Sequence, residues 1–145
     1  MKAYELVIRN AKIVDGSGSP WFRGDLGIKK GKISFIGKLP ENVEGVDEIN
    51  AEGLVLAPGF IDIHTHYDFV LFRDPLQPAV LKQGVTTVMI GQCGISPAPI
   101  DPEKVELLEA YAGFMRAGVK PTWDWEGFSE YSDALESLEL GPNVG

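Results

Sequence analysis

The hydrophobic pattern changes near residue 55, and that change limits the possible folds more than any other feature of this 145-residue chain. Before it, short apolar and β-branched runs alternate with turn chemistry. "YELVIRNAKIV" (4–14) reads as a strand, and "DGSGSP" (15–20) ends it with residues that favour turns. "DLGIKKGKISFIGK" (25–38) reads as a hairpin, because Leu26 and Ile28, then Ile33 and Phe35, alternate with polar or small residues around Lys30-Gly31. "EINAEGLVLAPGF" adds a short strand and a turn. Residues 1–55 are therefore expected to form a β-rich subdomain.

Beyond that point strands and helices alternate. "LVLAPGFIDIHTH" is an apolar strand interrupted by Pro58-Gly59, and "VTTVMIGQCG" (85–94) is a second one. Between them "PLQPAVLKQG" (75–84) predicts a short helix, with Gly84 where a C-terminal glycine would end it. A helix is predicted over 101–118, with Asp101 as N-cap, Pro102 in the first helical position and Glu103 in the first turn. Val105, Leu108, Ala112 and Met115 repeat there at helical spacing. A further helix is predicted over 126–140, with Phe128, Tyr131, Leu135 and Leu138 on one face and Trp123 and Trp125 packing at its start. A β-rich lead followed by strand–helix repeats predicts an α/β chain with parallel βα units over residues 56–145. A closed (β/α)8 barrel takes about 250 residues. The 90 residues after residue 55 have room for two βα units and entry into a third, so a barrel is expected to be incomplete in this chain.

Charge and composition exclude some functions. The net charge is −8 and basic residues form no long cluster, which argues against a nucleic-acid partner. The single cysteine, Cys93, excludes an internal disulfide framework and fits a reducing compartment. The start, "MKAYELVIRN", carries Lys2, Glu5 and Arg9 and has no apolar h-region. No apolar run reaches the roughly 18 residues of a membrane helix. A soluble cytoplasmic protein with no membrane partner is the expectation. Gly16 and Gly18 do not make a phosphate loop, since no Gly-Lys-Ser/Thr follows at the required spacing.

Both histidines of the chain lie in "APGFIDIHTHYDF" (57–69). If residues 60–66 are a strand, Phe60, Asp62, His64 and His66 share one face, and Ile61, Ile63 and Thr65 the other. At about 3.3 Å per residue the two histidine Cβ atoms lie roughly 6–7 Å apart. Imidazoles so spaced can converge on one metal at about 2.0–2.1 Å. Surface histidines, or core histidines satisfied by backbone groups, are the plainer alternative. Cys93 follows the apolar run 85–90 and is flanked by Gly91-Gln92 and Gly94, again at the C-terminal end of a candidate parallel strand, where active sites gather. A small buried hydrophobe is the common fate of a free cysteine. A glycine-rich exit turn, however, lets the backbone approach a ligand, and thiolate is a good zinc donor. Asp62 and Asp68 are further acids beside this pair, able to assist a metal or to act only by hydrogen bonding to its ligands.

"PGFIDIHTHYD" resembles the first-strand signature of the amidohydrolase superfamily, whose members bind catalytic metal with a His-x-His pair in a (β/α)8 barrel. "VIRNAKIVDGSGSPWFRGDLGIKKGKISFIG" resembles the small β-sandwich subdomain that these enzymes carry beside the barrel. "TTVMIGQCGISPAP" and "WDWEGFSEYSDALE" followed by "NVG" resemble the N-acyl-D-amino-acid deacylase (D-aminoacylase) branch, which uses a cysteine after the second barrel strand where many relatives offer a carboxylated lysine or a glutamate. The resemblance covers essentially the whole chain. It implies a fold of a β-sandwich-like subdomain (1–55) followed by the first units of the barrel domain (56–145). It implies Zn2+ as cofactor and His64, His66 and Cys93 as metal residues, Cys93 holding the tightly bound zinc and bordering a second position served by the histidines. It implies N-acyl-D-amino acids as the small-molecule substrate.

The family pattern also calls for later histidines and a late-strand aspartate that shuttles the proton, and these are missing from the sequence, so no catalytic residue is assigned within it. The expectation is an N-terminal portion inactive alone, which needs a complementary C-terminal fragment or self-association. The competing readings are a dihydroorotase-like or hydantoinase-like cyclic amidase, against which Cys93 argues, and a non-catalytic remnant or half of a split protein.

Overall fold

In this computed structural model, residues 3–114, 118 and 122–145 are described. The chain divides into two units, Met1–Pro58 and Gly59–Gly145. In the first, β1 (Tyr4–Ile13) is the organising strand. β2 (Phe22–Lys29) and β3 (Lys32–Gly37) follow, then β4 (Gly45–Asn50) and β5 (Val55–Leu56), giving a five-stranded sheet of order β3-β2-β1-β4 with β5 also on β1. β1 runs antiparallel to β2 and parallel to β4 and β5. The hairpin expected over 25–38 is present, with Lys29 opposite Lys32. Its two central residues, Lys30 and Gly31, have φ of 53° and 67°, the left-handed pair that matches strand twist in tight hairpins. The Glu5 carboxylate accepts the N–H groups of both turn residues, at 2.9 and 3.1 Å.

β1 carries a bulge between Ile8 and Ala11, where Asn10 takes φ 62°. A bulge frees a backbone donor from the ladder. Here the buried Asp25 carboxylate takes it, accepting Asn10 N–H at 2.8 Å and Leu39 N–H at 2.9 Å. Ala11, Ile13 and Ala51 form the buried cluster of this unit, with Ile8 and Leu56 against it.

The second unit holds β6 (Phe60–Asp62), α1 (Pro78–Leu81), β7 (Val85–Val88), α2 (Val105–Tyr111), α3 (Phe128–Glu136) and β8 (Asn143–Val144). Its three strands are parallel, in the order β6-β7-β8. Two strand–helix passages and a third strand agree with the expected βα pattern. Gly59 permits a close approach, because a Cβ there would clash with the Thr86 side chain. Gly84, at φ 82°, follows α1, and its carbonyl accepts the Phe60 N–H.

The elements are shorter than the sequence pattern implies. The strand expected to run through residue 66 stops at Asp62, and the one expected over 85–94 stops at Val88. Ile61 and Ile63 are 62% and 72% exposed while Thr65 is buried, so these three do not share a packed face. The helix expected over 101–118 begins as foreseen: Asp101 accepts Glu103 N–H, and Pro102–Lys104 form a 3-10 turn. It ends at Tyr111, with Leu107, Tyr111 and Phe114 exposed. A helix with so little apolar surface buried has only its weak intrinsic propensity to extend it. Met115, part of the expected apolar stripe, lies outside the described residues.

α3 forms with its predicted face partly realised. Tyr131 and Leu135 are buried with Leu71, Ala98 and Trp125, and Leu138 and Trp123 pack against them. Trp125 stacks on Phe72, with ring centroids 5.1 Å apart, and donates to Pro97 O at 2.8 Å. Phe128 departs from the expectation and is 64% exposed. It is the first residue of α3, and the Glu130 carboxylate turns back past it to accept the Glu126 and Gly127 N–H groups.

Candidate metal centre

His64 and His66 stand on the loop that leaves β6, and its path differs from an extended strand. Met89 N–H donates to Asp62 O at 2.8 Å. Both the N–H and the hydroxyl of Thr65 then donate to Met89 O, at 3.1 and 2.6 Å. Residues 63 and 64 are therefore looped out between two anchored points, and His64 N–H turns back to Asp62 Oδ1 at 3.2 Å. The two imidazoles still face each other edge-on, with ring centroids 5.5 Å apart.

Cys93 sits in the 3-10 turn Gln92–Gly94 beyond β7. Gly91, Cys93 and Gly94 have φ of 73°, 59° and 69°. For cysteine that left-handed conformation is strained and persists only where surroundings hold it. The turn brings Sγ to 3.1 Å from His64 Nε2. One donor atom from each of His64, His66 and Cys93 lies within 4.8 Å of the other two. His64 and Cys93 are exposed and His66 is half-buried.

The donor set fits a metal. Zinc bonds of about 2.0–2.3 Å at tetrahedral angles place donors about 3.3–3.7 Å apart, so modest side-chain adjustment gathers all three around one ion. Two imidazoles and a thiol are zinc's preferred donor types. His66 Nδ1 is buried and has no hydrogen-bond partner among the described residues. A buried ring nitrogen without a partner is costly, and a ligand would relieve it.

The structure leaves the two acids outside this cluster. Asp62 binds the His64 backbone. Asp68 is buried, and its Oδ1 accepts the Gly91 N–H at 2.8 Å. Burial raises its carboxyl above the ordinary carboxylate range, while the Gly91 N–H and the nearby His66 oppose that rise. The Tyr131 hydroxyl donates to Asp68 O at 3.0 Å. Burial, and then the Asp68 charge, push that phenol well above its ordinary range. Thr65 is the residue that sequence reasoning passed over. Its hydroxyl type and its place between the two histidines were the available signals, but its partner, a carbonyl 24 residues away, was not visible in local sequence.

The family model for the amidohydrolase family matches residues 47–140. The chain is 35% identical over 145 residues to the D-aminoacylase of Alcaligenes xylosoxydans xylosoxydans, covering 97% of this chain and 28% of that enzyme. It is 43% identical over 108 residues to the N-acyl-D-aspartate deacylase of the same organism, covering 72% of this chain and 22% of that enzyme. Among solved structures it is similar to N-acyl-D-glutamate deacylase from Bordetella bronchiseptica complexed with zinc and a phosphonate inhibitor. The TM-score is 0.81 at 32% identity, covering 100% of this chain and 29% of that one. The chain thus spans less than a third of the length of these relatives. No helix among the described residues is long and apolar enough to cross a membrane.

Proposed function

This chain belongs to the amidohydrolase family, and from that premise we propose that it carries part of the metal centre of a zinc-dependent hydrolase acting on N-acyl-D-amino acids. The observation that carries the reading is the convergence of His64, His66 and Cys93, with one donor atom from each within 4.8 Å of the others. Similarity to deacylases of N-acyl-D-amino acids supports the substrate class, and the zinc complex of one of them supports the metal. In this reading residues 1–55 are the β-sandwich-like subdomain and residues 56–145 the opening units of the barrel.

Bound zinc supplies a water acidic enough to be a nucleophile at neutral pH and polarises the scissile carbonyl. The resemblance implies two metal positions, but the convergence of the three donors supports one, in which His64, His66 and Cys93 would together hold a single ion. Thr65, through its two bonds to Met89 O, fixes the loop on which both imidazoles stand. The proton transfer to the leaving amine is assigned to no residue of this chain.

Zinc titration by calorimetry tests the centre. The chain should bind one ion, and Cys93→Ser and His66→Ala should each weaken binding at least tenfold. Undiminished binding in Cys93→Ser would contradict the donor set. The substrate class is tested in the gene product that carries this sequence. N-acetyl-D-amino acids should be hydrolysed and their L-enantiomers should not, and equal turnover of both would contradict the proposed selectivity.

A further inference from the structure

Two features of the second unit are not explained by the donor set alone. Asp68 is buried, 3% exposed, yet stands outside the three donors. Cys93 holds a left-handed backbone that cysteine rarely adopts, in a turn that follows another left-handed residue, Gly91. A single hydrogen bond joins the two features: Gly91 N–H to Asp68 Oδ1 at 2.8 Å. We propose that Asp68 is a positioning residue for the metal donor set, its carboxylate fixing the turn that carries Cys93 against His64. The inference rests on the metal-centre reading above.

Gly91, which precedes the turn, and Gly94, which ends it, have open space where a Cβ would stand among the described residues. Within the turn, Ile95 N–H donates to Gln92 O at 3.0 Å, a local bond that shapes the turn but does not aim it. The Asp68 carboxylate ties Gly91, at the entry to the turn, to the histidine loop, because Asp68 lies two residues after His66. Asp68 is itself held from behind, since its backbone carbonyl accepts the hydroxyl of Tyr131, a core residue of α3. The chain of contacts runs from α3 through Asp68 to Gly91 and on to the thiol, so the sulfur is aimed by a rigid element rather than by its own loop.

The test uses Co2+ as a probe, because a thiolate ligand gives a near-ultraviolet charge-transfer band that imidazoles alone do not. The unaltered chain should show the band and Cys93→Ser should lose it. A chain that binds Co2+ without the band overturns the metal-centre reading, and this inference with it. Given the band, Asp68→Ala and the volume-filling Asp68→Leu should weaken Co2+ binding by about 10–100-fold and diminish the band at saturation. Asp68→Asn keeps an acceptor oxygen and should restore it. Leu138→Ala, at a residue that packs against the same core without bonding to Asp68, should lower thermal stability while leaving the band intact, which separates positioning from general support of the fold. A full band at unchanged affinity in either folded variant lacking the acceptor, Asp68→Ala or Asp68→Leu, overturns the role of Asp68 and leaves the metal centre standing. Should both fail to fold, loss of the band in folded Asp68→Asn would overturn it.

Discussion

The two units of this chain hold their parts in place by different means. In the first, the ten-residue β1 pairs with three other strands, and regular ladder bonds fix most of the backbone. Even its irregular point, the bulge at Asn10, is closed by a buried carboxylate. In the second, strands of two to four residues give only short ladders, and the residues that matter lie beyond their ends. There the path is set by Thr65 on Met89 O, Asp68 on Gly91 N–H, Tyr131 on Asp68 O and Trp125 on Pro97 O. Ladder bonds repeat and tolerate single losses. Side-chain anchors act one at a time, so the second unit should be the more sensitive to single substitutions near its site.

The largest expected effect comes from the aromatic core. Trp125→Ala removes the ring stacked on Phe72 and should cost about 3–5 kcal/mol of the second unit's stability. Amide exchange should quicken in β6–β8 ahead of β1–β4, because each unit has its own buried cluster. Equal acceleration in both would break the contrast. A smaller effect is expected at a single anchor. Thr65→Val keeps the shape and the backbone bond to Met89 O but loses the hydroxyl bond, costing about 0.5–1.5 kcal/mol by urea unfolding. Zinc affinity should fall by a few-fold. Unchanged affinity would show that the loop is aimed without that bond.

What the sequence made legible follows the same division. The hairpin was readable because Lys30-Gly31 carries its own turn chemistry between alternating apolar residues. The start of the Asp101 turn and the buried face of α3 were readable because caps and helical spacing are local signals. The pairing of His64 and His66 with Cys93 was readable because both segments end apolar runs, which placed all three near parallel strand ends. The strand ends themselves were not readable. "FIDIHTH" places Ile61, Ile63 and Thr65 on one face of an extended strand and Phe60, Asp62, His64 and His66 on the other, yet Phe60, Ile61 and Ile63 are exposed and the ladder gives way to the Thr65 anchor. The length of α2 was misjudged for a related reason. Val105 and Leu108 have helical spacing, but periodicity does not report whether a packing partner is present.

The smallest expected effect returns to the first unit. The Gly31 N–H, and after it the Lys30 N–H, hold the Glu5 carboxyl below its ordinary value of 4.5. A carboxyl depressed in the folded state contributes stability that is complete above its unfolded value and is lost as pH falls through the folded one. Glu5→Gln should therefore lower the urea midpoint slightly at neutral pH, and the gap should close on acidification. A gap that widened in acid would contradict the sign. Its small size would itself sharpen the comparison, since one anchor on a well-laddered hairpin should matter less than one anchor beside Cys93.

The central claim is that two imidazoles and one thiol, delivered by side-chain anchors from two strand exits, share one ion. X-ray absorption at the zinc edge of the zinc-loaded chain tests this most directly. The account predicts one sulfur at about 2.3 Å with nitrogens at about 2.0–2.1 Å, the sulfur vanishing in Cys93→Ser. A coordination sphere of nitrogen and oxygen alone in the unaltered chain would contradict it.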